Sequence, residues 1–121
     1  IKEAEAYKGP SLIIAYTPCI NHGIKTGMGT SIEEEKKATS CGYWPIFRYD
    51  PRLEDEGKNP FQLDGPKKLD GQFQEFLNGE VRYAALKKTF PDRAEELDKK
   101  AEQDMKFRYN KYRRLAGMEE V

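Results

Sequence analysis

The sequence predicts an α/β fold, and three segments with different hydrophobic patterns support that prediction. Residues 11–16 include four consecutive apolar side chains without alternation, a pattern typical of a strand covered on both faces in a parallel sheet. Residues 31–41 have helical composition, and Gly42 follows them at a position where helices commonly end. Residues 92–116 carry apolar side chains at steps of three and four, which indicates a long amphipathic helix.

The first half of the chain is predicted to form the closing part of a βαβ-type unit. Residues 1–7 are helix-like and stop at a Gly-Pro pair, shortly before the covered strand. Ser31 and Glu34 match a capping box, in which the serine caps the helix and the glutamate reaches back to the serine amide. A second strand is predicted over residues 43–49, where Pro45 favours an edge position because proline cannot donate to a neighbouring strand.

The second half is predicted to be a long loop followed by helices. Residues 52–71 are polar and rich in glycine and proline, with a short extended stretch at residues 61–63. A helix over residues 72–89 is expected to break or bend at Gly79, and Pro91 opens the last helix. The apolar stripe of that helix is expected to decide where it docks, since ion pairs four residues apart contribute only a few tenths of a kcal/mol each. The stripe comprises Ala94, Leu97, Ala101, Met105, Tyr109, Tyr112 and Ala116.

The composition excludes several classes of protein. Lysine plus arginine and aspartate plus glutamate balance at 21 each in 121 residues, which argues against a general nucleic-acid or anionic-membrane binder. The basic and aromatic residues 106–114 are accordingly interpreted as a solvated helix end. No apolar run is long enough to span a membrane, and two cysteines suit a reducing, cytoplasmic setting. Because the chain opens with Ile1 inside a helix-like segment, we expect it to be a piece of a longer polypeptide.

Cys19 is the candidate functional residue, because it follows Pro18 directly after the predicted strand. In α/β proteins, ligands bind beyond the carboxyl ends of strands, and a thiolate there could ligate a metal or act as a nucleophile. A cysteine protease would need a histidine base and an orienting residue, but His22 is the single histidine and lies in the same turn. An autonomous zinc site is disfavoured because only Cys19, His22 and Cys41 are available, whereas a cluster completed by other cysteines stays open. Cys41 is interpreted as a packed structural thiol.

The glycine-rich stretch after Cys19 could suggest phosphate binding. Residues 21–30 contain Gly27-Met28-Gly29, but the third glycine of a dinucleotide fingerprint and the Gly-Lys-Ser/Thr of a P-loop are missing. A permissive turn before a helix is the preferred interpretation.

Several segments of the chain closely resemble pyruvate:ferredoxin (flavodoxin) oxidoreductases. The resemblance covers nearly the whole chain, and its motifs are specific. The matching segments are PSLIIAYTPCINHG at 10–23, EEEKKA at 33–38, CGYW at 41–44, EGKNPF at 56–61, FQEFL at 73–77 and EVRY at 80–83.

This resemblance implies the C-terminal part of a thiamine-pyrophosphate-binding domain. The implied fold is a three-layer α/β fragment with a buried strand, a helix and an edge strand, followed by a helical C-terminal extension. Residues 1–53 would hold the last strands and helix with the ligand loop, residues 54–71 a loop, and residues 72–121 the extension packed on the same domain.

The resemblance also implies an activity, cofactors and partners. The family oxidatively decarboxylates pyruvate to acetyl-CoA on thiamine pyrophosphate and Mg²⁺, and passes electrons through [4Fe–4S] clusters to ferredoxin or flavodoxin. Carried over, Cys19 would be the fourth cysteine ligand of one cluster, and Pro18, Asn21 and His22 would surround it. No catalytic residue is expected in this segment, which alone should be inactive. Pyruvate, coenzyme A, the rest of the parent enzyme and a second copy in a homodimer are the implied partners, with no nucleic acid or membrane.

A second hypothesis from another class remains open. The chain could be a non-catalytic docking module in which Cys19 is a packed structural thiol. The two hypotheses differ in where they place the sulfur, since a cluster ligand must be accessible and a packed thiol must not be.

Overall fold

The computed structural model describes residues 1–119 and consists mainly of helices. A two-stranded antiparallel sheet and a short 3₁₀ turn at Met28–Thr30 complete the architecture. The helices are α1 (Lys2–Ala6), α2 (Ser31–Ser40), α3 (Arg52–Asp55), α4 (Phe73–Gly79), α5 (Val81–Thr89) and α6 (Pro91–Leu115), and the strands are β1 (Phe47–Tyr49) and β2 (Phe61–Leu63).

The hydrophobic core lies where α2, α4 and α6 meet. Each of these helices contributes buried apolar side chains, and the rings of Tyr43 and Trp44 pack against them from the segment after α2. Burying side chains of this size removes enough apolar surface from water to hold short helices that would not persist alone. The buried members of this core are Ala38, Cys41, Phe73, Phe76, Leu77, Met105 and Tyr109.

The predicted last helix is confirmed as α6, which begins at Pro91 as expected. Met105 and Tyr109 of its stripe are buried, and Glu95 with Lys99 and Glu102 with Lys106 form ion pairs four residues apart. Leu97, by contrast, is 39% exposed, while its neighbour Asp98 is buried beside Lys87 at 2.9 Å. The docked face of the helix therefore includes an ion pair that the apolar pattern did not predict.

The small sheet pairs β1 with β2 in an antiparallel register that places Phe47 opposite Leu63. This confirms the extended stretch predicted at Phe61–Leu63, but the second predicted strand is shorter than expected. Its first residues, Tyr43 and Trp44, pack on the core instead of joining the sheet. Phe47 and Phe61 stack on each other at 5.1 Å, which ties the sheet to α6 through Tyr112.

The predicted buried strand over residues 11–16 is wrong for this chain. The segment is irregular, and Leu12, Ile13 and Ile14 are 84%, 58% and 67% exposed. A covered strand needs neighbouring strands for its backbone and packed layers on its faces, and residues 1–119 supply neither. We call residues 11–15 the apolar arm.

The predicted capping box is also wrong. Helix α2 begins at Ser31 itself after the 3₁₀ turn, and the Ser31 hydroxyl donates to the carbonyl of Met28 at 2.6 Å. Glu34 does not reach back to the helix start but points inward and is only 2% exposed. The expected helix end is confirmed, because Gly42 adopts a left-handed φ of 84° directly after Cys41. The break at Gly79 is confirmed too, since α4 ends there.

Candidate functional site

The sulfur of Cys19 lies exposed on a tight turn. The amide of Gly23 donates to the carbonyl of Cys19 at 2.8 Å, which closes the turn. Nδ1 of His22 lies 3.2 Å from the sulfur. The backbone amides of His22 and Asn21 are also close enough to the sulfur to stabilise its ionised form. The turn thus presents several N–H donors to one accessible thiol.

These donors lower the pKa of the Cys19 thiol to about 7. The backbone amide of His22 has the largest effect, followed by the His22 ring and the amide of Asn21. Hydrogen bonds to the charged form favour it, so much of this thiol is ionised near neutral pH. The thiolate is the form that binds metals and reacts as a nucleophile.

An aromatic anchor holds the amino-terminal side of the turn. The ring of Tyr16 stacks on Trp44 at 5.4 Å and meets Tyr43 edge-on at 5.8 Å. Its hydroxyl donates to Oε1 of Glu80 at 3.4 Å. Pro18, between this anchor and the cysteine, is buried. Pro18, which the sequence singled out, is therefore packed against the protein, whereas the adjacent Cys19 sulfur is exposed to solvent.

Backbone pairing holds the carboxyl-terminal side of the turn. Ile24 is buried and forms an isolated antiparallel bridge with Glu80, at the junction of α4 and α5. The amide of Lys25 donates to the carbonyl of Gly79 at 2.8 Å, and the amide of Val81 donates to the carbonyl of Gly23 at 3.3 Å. We call residues 16–25 the Cys19 loop; both of its ends are attached to the helical core.

The structure places all the residues that the sequence singled out around Cys19, but they differ in their exposure to solvent. Asn21 and His22 are exposed beside the sulfur, and Pro18 is buried beneath it. Among residues 1–119, no group of three or more His, Cys, Asp or Glu side chains is placed to hold a metal ion. The loop can therefore supply one thiolate ligand, and any further ligands have to come from other residues.

The other cysteine is a packed thiol, as expected. Cys41 is 1% exposed within the core, and its sulfur lies 3.6 Å from the carbonyl of Ala38. Burial raises the pKa of the Cys41 thiol to about 11, so it stays protonated at neutral pH. The contrast with Cys19 is sharp, and the hypothesis that Cys19 is itself a packed thiol is wrong, because its sulfur is exposed.

Sequence reasoning missed a pair of buried acids beneath the Cys19 loop. Glu34 of α2 and Glu80 at the junction of α4 and α5 are 2% and 4% exposed. The capping-box pattern had assigned Glu34 a different partner, and the local sequence marks Glu80 only weakly. A glutamate directly after a helix-ending glycine, with no ion partner at helical spacing, is the one signal that was available.

Comparison with known proteins points to a class of large pyruvate-oxidising enzymes. Over 114 residues, 94% of this chain, it is 58% identical to pyruvate:ferredoxin oxidoreductase of Moorella thermoacetica, of which it covers 10%. It is 53% identical over 98% of its length to pyruvate-flavodoxin oxidoreductase of Klebsiella pneumoniae, and again covers 10% of that relative. It is 49% identical over 93% of its length to mitochondrial pyruvate dehydrogenase [NADP(+)] of Euglena gracilis, covering 6% of it. No protein-family model matches the chain.

The chain is therefore homologous to one segment of the pyruvate:ferredoxin and pyruvate-flavodoxin oxidoreductases, which confirms the resemblance seen in the sequence. It spans about a tenth of the length of the Moorella thermoacetica and Klebsiella pneumoniae enzymes. Within residues 1–119, no helix is long and apolar enough to cross a membrane.

Proposed function

We propose that this chain works as part of a pyruvate:ferredoxin or pyruvate:flavodoxin oxidoreductase, in which Cys19 is one ligand of a [4Fe–4S] cluster. The observation that carries the proposal is the exposed Cys19 sulfur, surrounded by N–H donors on an anchored turn. The parent enzyme would convert pyruvate and coenzyme A into acetyl-CoA and CO₂ and deliver electrons to ferredoxin or flavodoxin. The cluster, when bound, would accept and release those electrons one at a time.

The donor chemistry of the Cys19 loop fits this role. Iron–sulfur clusters are held by cysteine thiolates, and the thiol of Cys19 has its pKa lowered to about 7. Hydrogen bonds to ligating sulfurs help to set a cluster's reduction potential. The amides of Asn21 and His22 and the His22 ring would serve that purpose, while buried Pro18 keeps the turn rigid. Because residues 1–119 offer no complete ligand set, the remaining ligands would belong to the rest of the parent enzyme.

The apolar arm would complete the thiamine-binding domain of that enzyme. Its exposed side chains and unpaired backbone suit insertion between strands of a sheet, with helical layers on both faces. Residues 1–53 would then close the three-layer domain, residues 54–71 would form a connecting loop, and residues 72–121 would pack on the same domain. Thiamine pyrophosphate and Mg²⁺ would be bound mainly by other segments. The parent would be a cytoplasmic homodimer without nucleic-acid or membrane partners.

Cluster ligation can be tested in the full polypeptide that contains this segment. The protein would be reconstituted anaerobically with iron and sulfide, and its iron content, visible absorption and EPR spectrum recorded for the wild type and for Cys19→Ser. We expect the variant to lose or alter one cluster signal. Cys41→Ser is the matched control, because that sulfur is buried in the core and should leave every cluster signal unchanged. A Cys19→Ser protein with the wild-type iron content and EPR spectrum would refute the ligand role.

The structure gives less support to the alternative hypothesis, in which the chain is an autonomous docking module. Its structural cysteine would have to be packed, and the Cys19 sulfur is not. Its independence can still be tested by urea unfolding of the isolated chain. A sharp, cooperative transition together with unaltered cluster signals in Cys19→Ser would favour the module.

A further inference from the structure

We propose that Glu34 and Glu80 share a single proton, and that this shared proton keeps the Cys19 loop attached to the junction of α4 and α5. The two residues would act as positioning residues for the loop, and the attachment would loosen when the proton is lost. The proposal goes beyond the cluster assignment, since it concerns the loop itself and does not require bound iron.

The geometry brings two acids together in the protein interior. Glu34 projects from α2 toward the end of α4, so closely that a Cβ added to Gly79 would lie 3.1 Å from Oε1 of Glu34. This oxygen is buried and has no hydrogen-bond partner within residues 1–119. A buried acceptor without a donor is costly, and a proton between the two carboxyl groups supplies the donor. A proton held between the two carboxyl groups would therefore satisfy Oε1 of Glu34.

The surrounding charges agree with one shared proton. Burial raises the pKa of Glu34, and the neighbouring Glu80 raises it further, whereas Lys37 of the same helix opposes the shift. The positively charged guanidinium of Arg82 interacts with the carboxyl group of Glu80. The other titratable groups facing the pair are Tyr16, Tyr43 and Cys41, whose pKa values are all raised, so they remain neutral at ordinary pH.

Glu80 connects this acid pair to both ends of the Cys19 loop. Its carboxyl group accepts the hydrogen bond from the Tyr16 hydroxyl, and its backbone forms the bridge with Ile24. If both acids ionise, their repulsion pushes the carboxyl group of Glu80 away from α2. That movement strains the aromatic anchor and the backbone bridge together.

The direction of the pH dependence follows from the raised pKa of Glu34. A carboxyl group whose pKa is raised in the attached state contributes its full stabilisation below its ordinary pKa of about 4.3. The stabilisation is lost progressively as the pH rises toward the raised pKa, because loop opening then releases a proton. One released proton makes the opening equilibrium up to about tenfold more favourable for each pH unit in that interval.

Hydrogen–deuterium exchange with mass spectrometry tests the proposal in the full polypeptide that contains this segment. The measured quantity is the protection of peptides that contain the amides of Lys25 and Val81, which bond to Gly79 and Gly23. Exchange is followed across pH values from about 4 to 9 and corrected for the intrinsic pH dependence of amide exchange. The variants are Glu34→Gln, whose amide is a permanent donor, and Glu33→Gln as a matched control on the exposed side of α2.

We expect wild-type protection of these peptides to fall with rising pH, by up to about tenfold per pH unit, and then to level off. Glu34→Gln should hold its protection level across the same interval, and Glu33→Gln should follow the wild type. Glu80→Gln provides a second variant that also removes the need for the proton. Equal pH dependence in wild type and Glu34→Gln, or no protection at any pH, would overturn the proposal. Repeating the series in Cys19→Ser separates this proposal from that of cluster ligation. The shared proton predicts the same exchange pattern without the cysteine.

Discussion

Replacement of Gly42 by alanine tests whether the junction after α2 is packed as the structure shows. Gly42 is buried with a φ of 84°, and its amide donates to the carbonyl of Thr39 at 3.2 Å. An added Cβ would lie 2.9 Å from Leu69 Cδ1 and 2.9 Å from Met105 Sδ. Real Cβ atoms do not approach other atoms so closely, so either the backbone or these two core side chains must move.

The expected loss of stability has two parts. A left-handed backbone costs a non-glycine residue about 1–2 kcal/mol, and overpacking a filled site costs about 1–3 kcal/mol. Gly57→Ala is the matched control, because Gly57 has a φ of 69° but nothing within 4 Å of its added Cβ. The gain from restricting the unfolded chain is the same for both variants and cancels in the comparison. Gly42→Ala should therefore be less stable than Gly57→Ala by about 1–3 kcal/mol.

Urea unfolding followed by tryptophan fluorescence measures this difference, because Trp44 is the single tryptophan in the chain and packs against the core. The two variants should have similar slopes and different midpoints. Equal losses in the two variants would refute the reasoning, since the contact with Leu69 and Met105 would then carry no energy.

Two further predictions concern single side chains. In the metal-free chain, the rate of Cys19 alkylation should rise with pH around a midpoint near 7, while Cys41 stays unreactive. Mass mapping of iodoacetamide adducts measures both. A midpoint at the ordinary thiol pKa would contradict the hydrogen bonding described for the turn. Tyr109→Phe should lower the free energy of unfolding by about 1–2 kcal/mol, because it leaves the carbonyl of Pro66 without its 2.9 Å donor, and urea unfolding measures this loss. An unchanged midpoint for Tyr109→Phe would mean that water replaces the hydroxyl at no cost.

Elements whose signals are local could be predicted from the sequence. The amphipathic period of α6, the glycine after α2 and the glycine that ends α4 each depend on neighbouring residues, and the structure has all three. Cys19 was likewise found from its position after an apolar run, and its sulfur is indeed exposed on a turn. The chemical consequence of that turn, a thiol with a lowered pKa, needed backbone directions that no residue pattern encodes.

Elements that depend on distant partners could not be predicted. Residues 11–16 have the composition of a covered strand, but strand formation requires neighbours that residues 1–119 do not contain. Glu34 matched a helix-capping pattern, yet its carboxyl group meets an acid far along the chain. In both cases the local pattern is present in the sequence, but contacts with distant parts of the protein determine the structure that forms.

The apolar arm has a consequence for handling and degradation of the segment. Exposed isoleucine and leucine on a backbone that belongs to no sheet are features that allow segments of separate molecules to pair as strands. If this segment is released by proteolysis, or finishes synthesis before its surroundings fold, the arm becomes a nucleus for self-association. A charged residue at position 13 would weaken that self-association, and it would also oppose the insertion into a sheet that we propose for the arm.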